Sequence, residues 1–131
     1  MIPNISNNLY LSPIYRKAIE IFTLSRNISK YLVHDLAPLQ SNGSEDSNIY
    51  FSGDIVQQSI SLAPEIVKAE SKTYFEEKHK HAVFLTQLTN VLYKNCDRLE
   101  RSNSNGRDFL PLLRKELKKF RKLQRNWMLT L

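Results

Sequence analysis

From Ile14 onward, apolar or small residues return every three or four positions: Ile14, Ala18, Ile21 or Phe22, Ser25, Ile28, Leu32, Leu36 and Leu39. That period is the period of one helix face, and it predicts a long amphipathic helix over about 12–37. Ser12 offers a hydroxyl at the N-cap, and Pro13 stands at N1, where a missing N–H costs nothing. Residues 1–11 lack a period and read as an irregular lead-in. Pro38 and the polar run Gln40 to Asn48 end the helix and predict an exposed, mobile loop.

The second predicted helix, about 49–70, has two apolar faces. Val56, Ile60, Ala63 and Val67 share one; Ile55, Leu62 and Ile66 share another, rotated by about 100°. A helix at the edge of a monomeric bundle needs a stripe only about 100° wide, so the surplus predicts burial against a second subunit as well as against the core. Ile55, Leu62 and Ile66 are the residues expected at that oligomer interface, although periodicity does not say which face meets the core. Ser59 and Ser61 are small enough for close helix approach, and Pro64 should kink the rod.

Thr73-Tyr74-Phe75-Glu76 has the spacing of a capping box, and a third helix follows over about 74–101. Its stripe is Phe75, Ala82, Leu85, Leu88 or Thr89, Leu92, Cys96 and Leu99. Ser102-Asn103-Ser104-Asn105-Gly106 is the clearest turn in the chain. Asp108 is the expected cap of a fourth helix over about 108–130, with Pro111 in its first turn. Phe109, Leu113, Leu117, Phe120, Gln124, Trp127 and Leu131 cluster on one side of it. Four such helices joined by short breaks predict an all-α fold, a single domain over 1–131 built as an antiparallel up-down-up-down four-helix bundle.

Charge changes this picture at one place. The chain of 131 residues carries a net charge of +6, and residues 107–131 hold eight basic residues against two acids, while the remainder is balanced at 11 of each sign. Arg114, Lys118, Arg121 and Arg125 line one flank of the fourth helix, and Lys115, Lys119 and Lys122 continue round its back. Basic charge gathered on one helix is an electrostatic footprint for phosphate or for an acidic partner. No aromatic residue interleaves with these cations, so contacts to a nucleic-acid backbone are expected rather than base stacking. The three glycines fit an all-helical chain, and the single cysteine excludes an internal disulfide and fits a reducing cytosol. The N-terminus lacks the pattern of a secretory signal, and no apolar run has the length of a membrane span, so a cytoplasmic protein is expected.

Other chemistry is sparse. Lys72, Lys78, His79, Lys80 and His81 form a second basic patch, diluted by Glu76 and Glu77, that reads as a solvated first turn and a half. His79 and His81 stand two apart and point away from each other on a helix, so no metal site is expected. Cys96 holds a stripe position and reads as an inert core thiol. Asp35, Asp54, Glu65 and Glu70 show no spacing that makes a catalytic pair, and no phosphate-cradling glycine loop is present. Neither enzymatic activity nor a cofactor is expected.

The layout and two local strings resemble a family of small bacterial four-helix bundles. It includes proteins encoded in intervening sequences of large-subunit ribosomal RNA genes and Avd, the accessory variability determinant of diversity-generating retroelements. Ser61-Leu62-Ala63-Pro64-Glu65-Ile66-Val67-Lys68-Ala69 stands where that family carries a string like Ser-Ile-Pro-Ala-Asn-Ile-Ala-Glu-Gly, and Thr73-Tyr74-Phe75-Glu76-Glu77 opens the third helix as a Lys-Glu-Phe-type string does there. Proline falls one place later here, and Glu65, Lys68 and Ala69 replace the family's Asn, Glu and Gly, so no role of those polar residues transfers. The resemblance spans about residues 14–130 and implies a homopentamer without enzymatic activity. For the Avd branch it also implies a basic surface that engages nucleic acid and a reverse transcriptase. The alternative expectation is a structural or protein-interaction bundle whose basic face docks an acidic protein.

Overall fold

The computed structural model describes residues 7–102 and 105–131, and among these there is helix and no strand. A 3-10 turn over Asn7–Leu11 leads into α1 (Pro13–Leu36). The second rod is α2 (Asn48–Ile60) followed by α3 (Leu62–Ser71), and then come α4 (Phe75–Glu100), a 3-10 turn over Asn105–Phe109 and α5 (Leu110–Met128). Residues 1–6 of the expected lead-in, and Asn103 and Ser104 of the expected turn, lie outside the described residues.

The start of α1 follows local chemistry. The Tyr15 N–H donates to Ser12 Oγ at 3.4 Å, and Pro13 occupies the first helical position. At about 1.5 Å per residue, α1 and α4 are each nearly 40 Å long, and neither has the length of apolar surface that crosses a membrane. The helices form a bundle: α1 packs on α2 and α5, while α4 packs on α2, α3 and α5.

The core is a set of stripes facing inward. Ile14, Ala18, Ile21, Ile28, Leu32 and Leu36 of α1 meet Ala82, Leu85, Leu92, Cys96 and Leu99 of α4 and Leu110, Leu113, Leu117 and Phe120 of α5. Where α1 approaches α2 the stripe turns small and polar. Ser25 and Ser59 hydroxyls meet at 2.6 Å, and Ser29 Oγ donates to the Ser52 carbonyl at 2.9 Å. Each buried hydroxyl is thereby satisfied without separating the two backbones.

Before Pro64 the second rod is interrupted for one residue. Pro64 lacks the N–H that would donate to Ile60 and its ring crowds that carbonyl. Ile60 is accordingly the last residue of α2, Ser61 is a turn, and the helix resumes at Leu62. The two apolar faces of this rod are also resolved. Ile55, Leu62 and Ile66 are all fully buried within the single chain, so the expectation that they form an oligomer interface is corrected. Of the other face, Ala63 is also covered, Val56 and Val67 are half-buried, and Ile60 is 49% exposed. The rotation of the rod is decided by what packs beneath it, which a period alone does not contain.

Four terminal details differ from expectation. Tyr74, not Thr73, is the N-cap residue of α4, and no side chain caps the helix, so the capping box does not form. Phe75 is consequently outside the core and stacks on His79 at 5.6 Å between ring centroids. Asp108 does not cap α5, because the tighter 3-10 turn carries the chain to Phe109 before the α-helix begins. Phe109 in turn lies outside the core stripe, stacked on Tyr31 at 5.4 Å, and Leu110 takes the buried place.

Leu62→Ala is expected to cost about 2–5 kcal/mol by emptying a fully covered core position. Ile60→Ala, on the outward face, should stay within about 0.5 kcal/mol. Urea unfolding of the two variants checks this ordering, and equal midpoints would show that Leu62 is not core.

Candidate nucleic-acid interface

Helix α5 separates its faces cleanly. Leu110, Leu113, Leu117, Phe120, Gln124 and Trp127 are buried, and the cations fall on the remaining surface. Trp127 Nε1–H donates to Glu70 Oε1 at 2.8 Å, so the one buried indole has its partner at the rim of the core. Gln124, the one polar residue in the stripe, donates from Nε2 to Thr86 Oγ1 at 2.7 Å.

The seven cations expected on this face do not share one role. Arg114 Nη2 lies 3.2 Å from Glu100 Oε1 across the α4–α5 seam. Arg121 donates from Nη2 to Asn90 Oδ1 at 3.0 Å, and its guanidinium carbon stands 4.5 Å from the centroid of Tyr93. Lys119 pairs with Glu116 at 3.3 Å. These three are tied to the fold. Lys115, Lys118, Lys122 and Arg125 are exposed and make no ion pair or side-chain hydrogen bond among the described residues. At about 100° per residue, these four lie within about 80° of arc, and at about 1.5 Å per residue their stripe is about 15 Å long.

Glu116 is the acid on α5, and it is occupied. Its Oε2 accepts from Lys17 Nζ of α1 at 2.8 Å, and Lys17 also reaches Glu20 at 2.6 Å. The hydrogen bond from Lys17, followed by that from Lys119, holds the Glu116 carboxyl below its ordinary value of 4.5 against the opposing effect of burial. Glu116 and then Glu20 raise Lys17 above 10.5. The single acid among these cations is thus turned toward α1 and Lys119, away from the free stripe.

The second basic patch has another organisation. His79 stacks on Phe75, while His81 Nδ1 lies 2.9 Å from Glu65 Oε2, so the two histidines have different surroundings. Glu65 is buried and also pairs with Lys68 at 3.1 Å; Glu65, Lys80, His81 and Phe84 border a cavity of about 510 Å³ between α3 and α4. Lys78 Nζ reaches the Glu70 carbonyl at 3.4 Å. Among the described residues no group of three or more His, Cys, Asp or Glu is placed to hold a metal. Cys96 lies wholly within the core, and burial pushes its thiol up to about 12, which leaves no thiolate at neutral pH.

Sequence reasoning found the cations of α5 and missed what sorts them. Glu100, Asn90 and Tyr93 of α4 pin or neutralise Arg114 and Arg121, and Lys17 of α1 holds the acid Glu116, each on a different helix from the residue it contacts. No local spacing announces such pairs. Comparison with protein-family models, with curated proteins and with solved structures finds no match.

The Lys17–Glu116 pair makes a pH-dependent contribution whose sign is fixed by these shifts. Because Glu116 titrates lower in the folded chain than in the unfolded one, its stabilisation is complete above about pH 4.5 and is lost as pH falls through the folded value. Because Lys17 titrates higher when folded, its share is present below about pH 10.5 and lost as pH rises through the folded value. Glu116→Gln should cost up to about 1 kcal/mol at pH 7 and nothing at a pH where Glu116 is protonated. Thermal unfolding at pH 7 and at a pH low enough to protonate Glu116 in the folded chain measures the difference; an equal cost at both would exclude an ionic origin.

Proposed function

We propose that this protein is a non-enzymatic, self-associating binding module whose α5 face engages nucleic acid through its phosphate backbone. The observation that carries the reading is the stripe Lys115, Lys118, Lys122 and Arg125: four exposed cations on one side of a helix, none paired among the described residues, with the nearby acid occupied. An ordinary solvated helix face alternates its charges and cancels them within a turn or two. This one leaves its positive charge uncompensated, and a polyanion gains from every counterion released along it.

The bundle that presents the stripe is, in this reading, antiparallel and up-down-up-down. Paired residues in neighbouring helices support it, because their numbers run in opposite directions. Ser25 meets Ser59 while Ser29 meets Ser52; Gln58 meets Asn95 while Glu65 meets His81; and Asn90 meets Arg121 while Thr86 meets Gln124. Lys17 with Glu116 and Tyr31 with Phe109 give the same sense for α1 and α5.

Self-association then uses an outward apolar surface in place of Ile55, Leu62 and Ile66. Ile60 of α2 and Val83, Phe84 and Val91 of α4 are exposed and supply candidates for it. The pentamer is the state implied by the resemblance to the Avd group, as is a reverse transcriptase as the partner that shares the nucleic acid. Copies of a four-cation stripe arranged by symmetry would bind one polyanion with avidity that a single stripe lacks. A cytoplasmic location follows from a nucleic-acid partner in this reading.

Binding of duplex DNA should weaken steeply with salt. Four phosphates neutralised per stripe correspond to a fall of roughly 150-fold between about 50 and 200 mM salt, and more if several copies engage. Charge reversal of Lys115, Lys118, Lys122 and Arg125 together should abolish binding with the helical signal intact. Binding of an acidic protein but of neither duplex DNA nor an RNA–DNA hybrid at low salt would replace nucleic acid by the alternative partner. Light scattering is expected to give a mass several times 15.3 kDa; a clean monomer at tens of micromolar would remove self-association.

A further inference from the structure

Between α4 and α5 lies a notch of about 150 Å³ lined by Thr86, Thr89, Asn90, Arg121, Gln124, Arg125 and Met128. Two guanidinium-bearing side chains, one turn apart on α5, border it, and none of its lining residues is an acid. The neutral polar groups are largely committed. Thr86 Oγ1 donates to the Ala82 carbonyl and accepts from Gln124, and Thr89 Oγ1 donates to the Leu85 carbonyl.

Arg121 is the unusual member. Asn90 and the Tyr93 ring hold its guanidinium in place, yet it has no carboxylate partner among the described residues, and its Nε is buried without a hydrogen-bond acceptor. A half-buried guanidinium of this kind ordinarily stands opposite a carboxylate, because its charge is partly removed from water. Here Arg114, two turns earlier on the same face of α5, has that arrangement with Glu100, and Arg121 does not. The planar fork of a preoriented arginine matches the oxygens of a phosphate group, and a second arginine four residues on can close over the same group.

We propose that this notch is a phosphate-binding site, in which Arg121, held by Asn90 and Tyr93, and Arg125 take one phosphate group. The inference rests on the reading of α5 as a polyanion-binding face and gives that face an anchor: the stripe supplies diffuse attraction, and the notch fixes one phosphate in register. The shared chemistry is a phosphate with free oxygens. A diester within a strand, a terminal monoester and free phosphate are its three sources.

The test uses the full chain labelled for NMR, with the Arg121 Nε–H resonance as the reporter and the exposed Arg16 as the internal control. The probes are inorganic phosphate at matched ionic strength and a short oligothymidylate with and without a 5′-phosphate. Saturable shifts at Arg121 and Asn90 that exceed those at Arg16 support the site. Response to both oligonucleotides assigns a diester, and response to the 5′-phosphorylated one alone assigns a monoester. Arg121→Lys, which keeps the charge and loses the fork, should weaken oligonucleotide binding about tenfold. Arg125→Lys, at an exposed position with no ion pair or side-chain hydrogen bond among the described residues, should weaken it in the same direction, while Arg114→Lys should leave it unchanged.

Shifts at Arg121 no larger than at Arg16, or wild-type oligonucleotide affinity in both Arg121→Lys and Arg125→Lys, would overturn the notch. The two readings fail separately. Oligonucleotide binding that is lost on reversing Lys115, Lys118 and Lys122 but is indifferent to Arg121→Lys and Arg125→Lys would leave the stripe and remove the notch. A phosphate response at Arg121 without any oligonucleotide binding would keep the notch and remove the nucleic-acid reading.

Discussion

Burial of Leu113, Leu117 and Phe120 fixes the rotation of α5 about its axis, and the charge distribution of the molecule depends on that rotation. Turning the helix by one residue would carry about 100° of arc with it, exposing this stripe and driving cations into the core. Neither is affordable, since a fully buried leucine contributes about 2–3 kcal/mol and an unpaired buried charge costs several. The hydrophobic face therefore sets the direction of every cation on the helix. Gln124 and Trp127 extend the same constraint toward the C-terminal end through Thr86 and Glu70.

Within that fixed frame, neighbouring helices divide the cations into two groups. Glu100 and Asn90 of α4 and Glu116 of α5 engage Arg114, Arg121 and Lys119, the members on either side of the exposed stripe. Lys17 of α1 pulls Glu116 further from the free cations. What is left outward is a narrow line of positive charge with Lys122 and Arg125 at one end and the notch beside Arg125. The proposed function uses that line, and the proposed phosphate site joins its Arg125 to Arg121, which Asn90 and Tyr93 hold beside it.

Much of the fold was legible in the sequence because amphipathic periodicity is a consequence of the same burial that builds the core. The stripes of α1 and α4 were readable along most of their length, down to Ser25, Thr89 and Cys96 as buried positions, and failed at their ends, where Leu39 and Phe75 are exposed. Three things were not legible. The choice between the two apolar faces of the second rod depended on which neighbours lay beneath it, and both faces satisfy the period equally. The helix starts at Phe75 and Leu110 ignore plausible capping residues: a cap contributes only about 1 kcal/mol, and at α5 the burial of Leu110 and Leu113 outweighs it. The candidate interface was visible as composition, yet the pairing that divides it joins residues tens of positions apart, such as Lys17 with Glu116 and Asn90 with Arg121.

The central claim is that the free stripe, and not basic charge in general, meets the nucleic acid. Footprinting of lysines with an amine-reactive reagent, read by mass spectrometry with and without duplex DNA at low salt, tests it directly. The account predicts protection of Lys115, Lys118 and Lys122, with unchanged reactivity at Lys72, Lys80 and Lys94. Protection that is spread evenly over all lysines, or centred on Lys72 and Lys80, would contradict it.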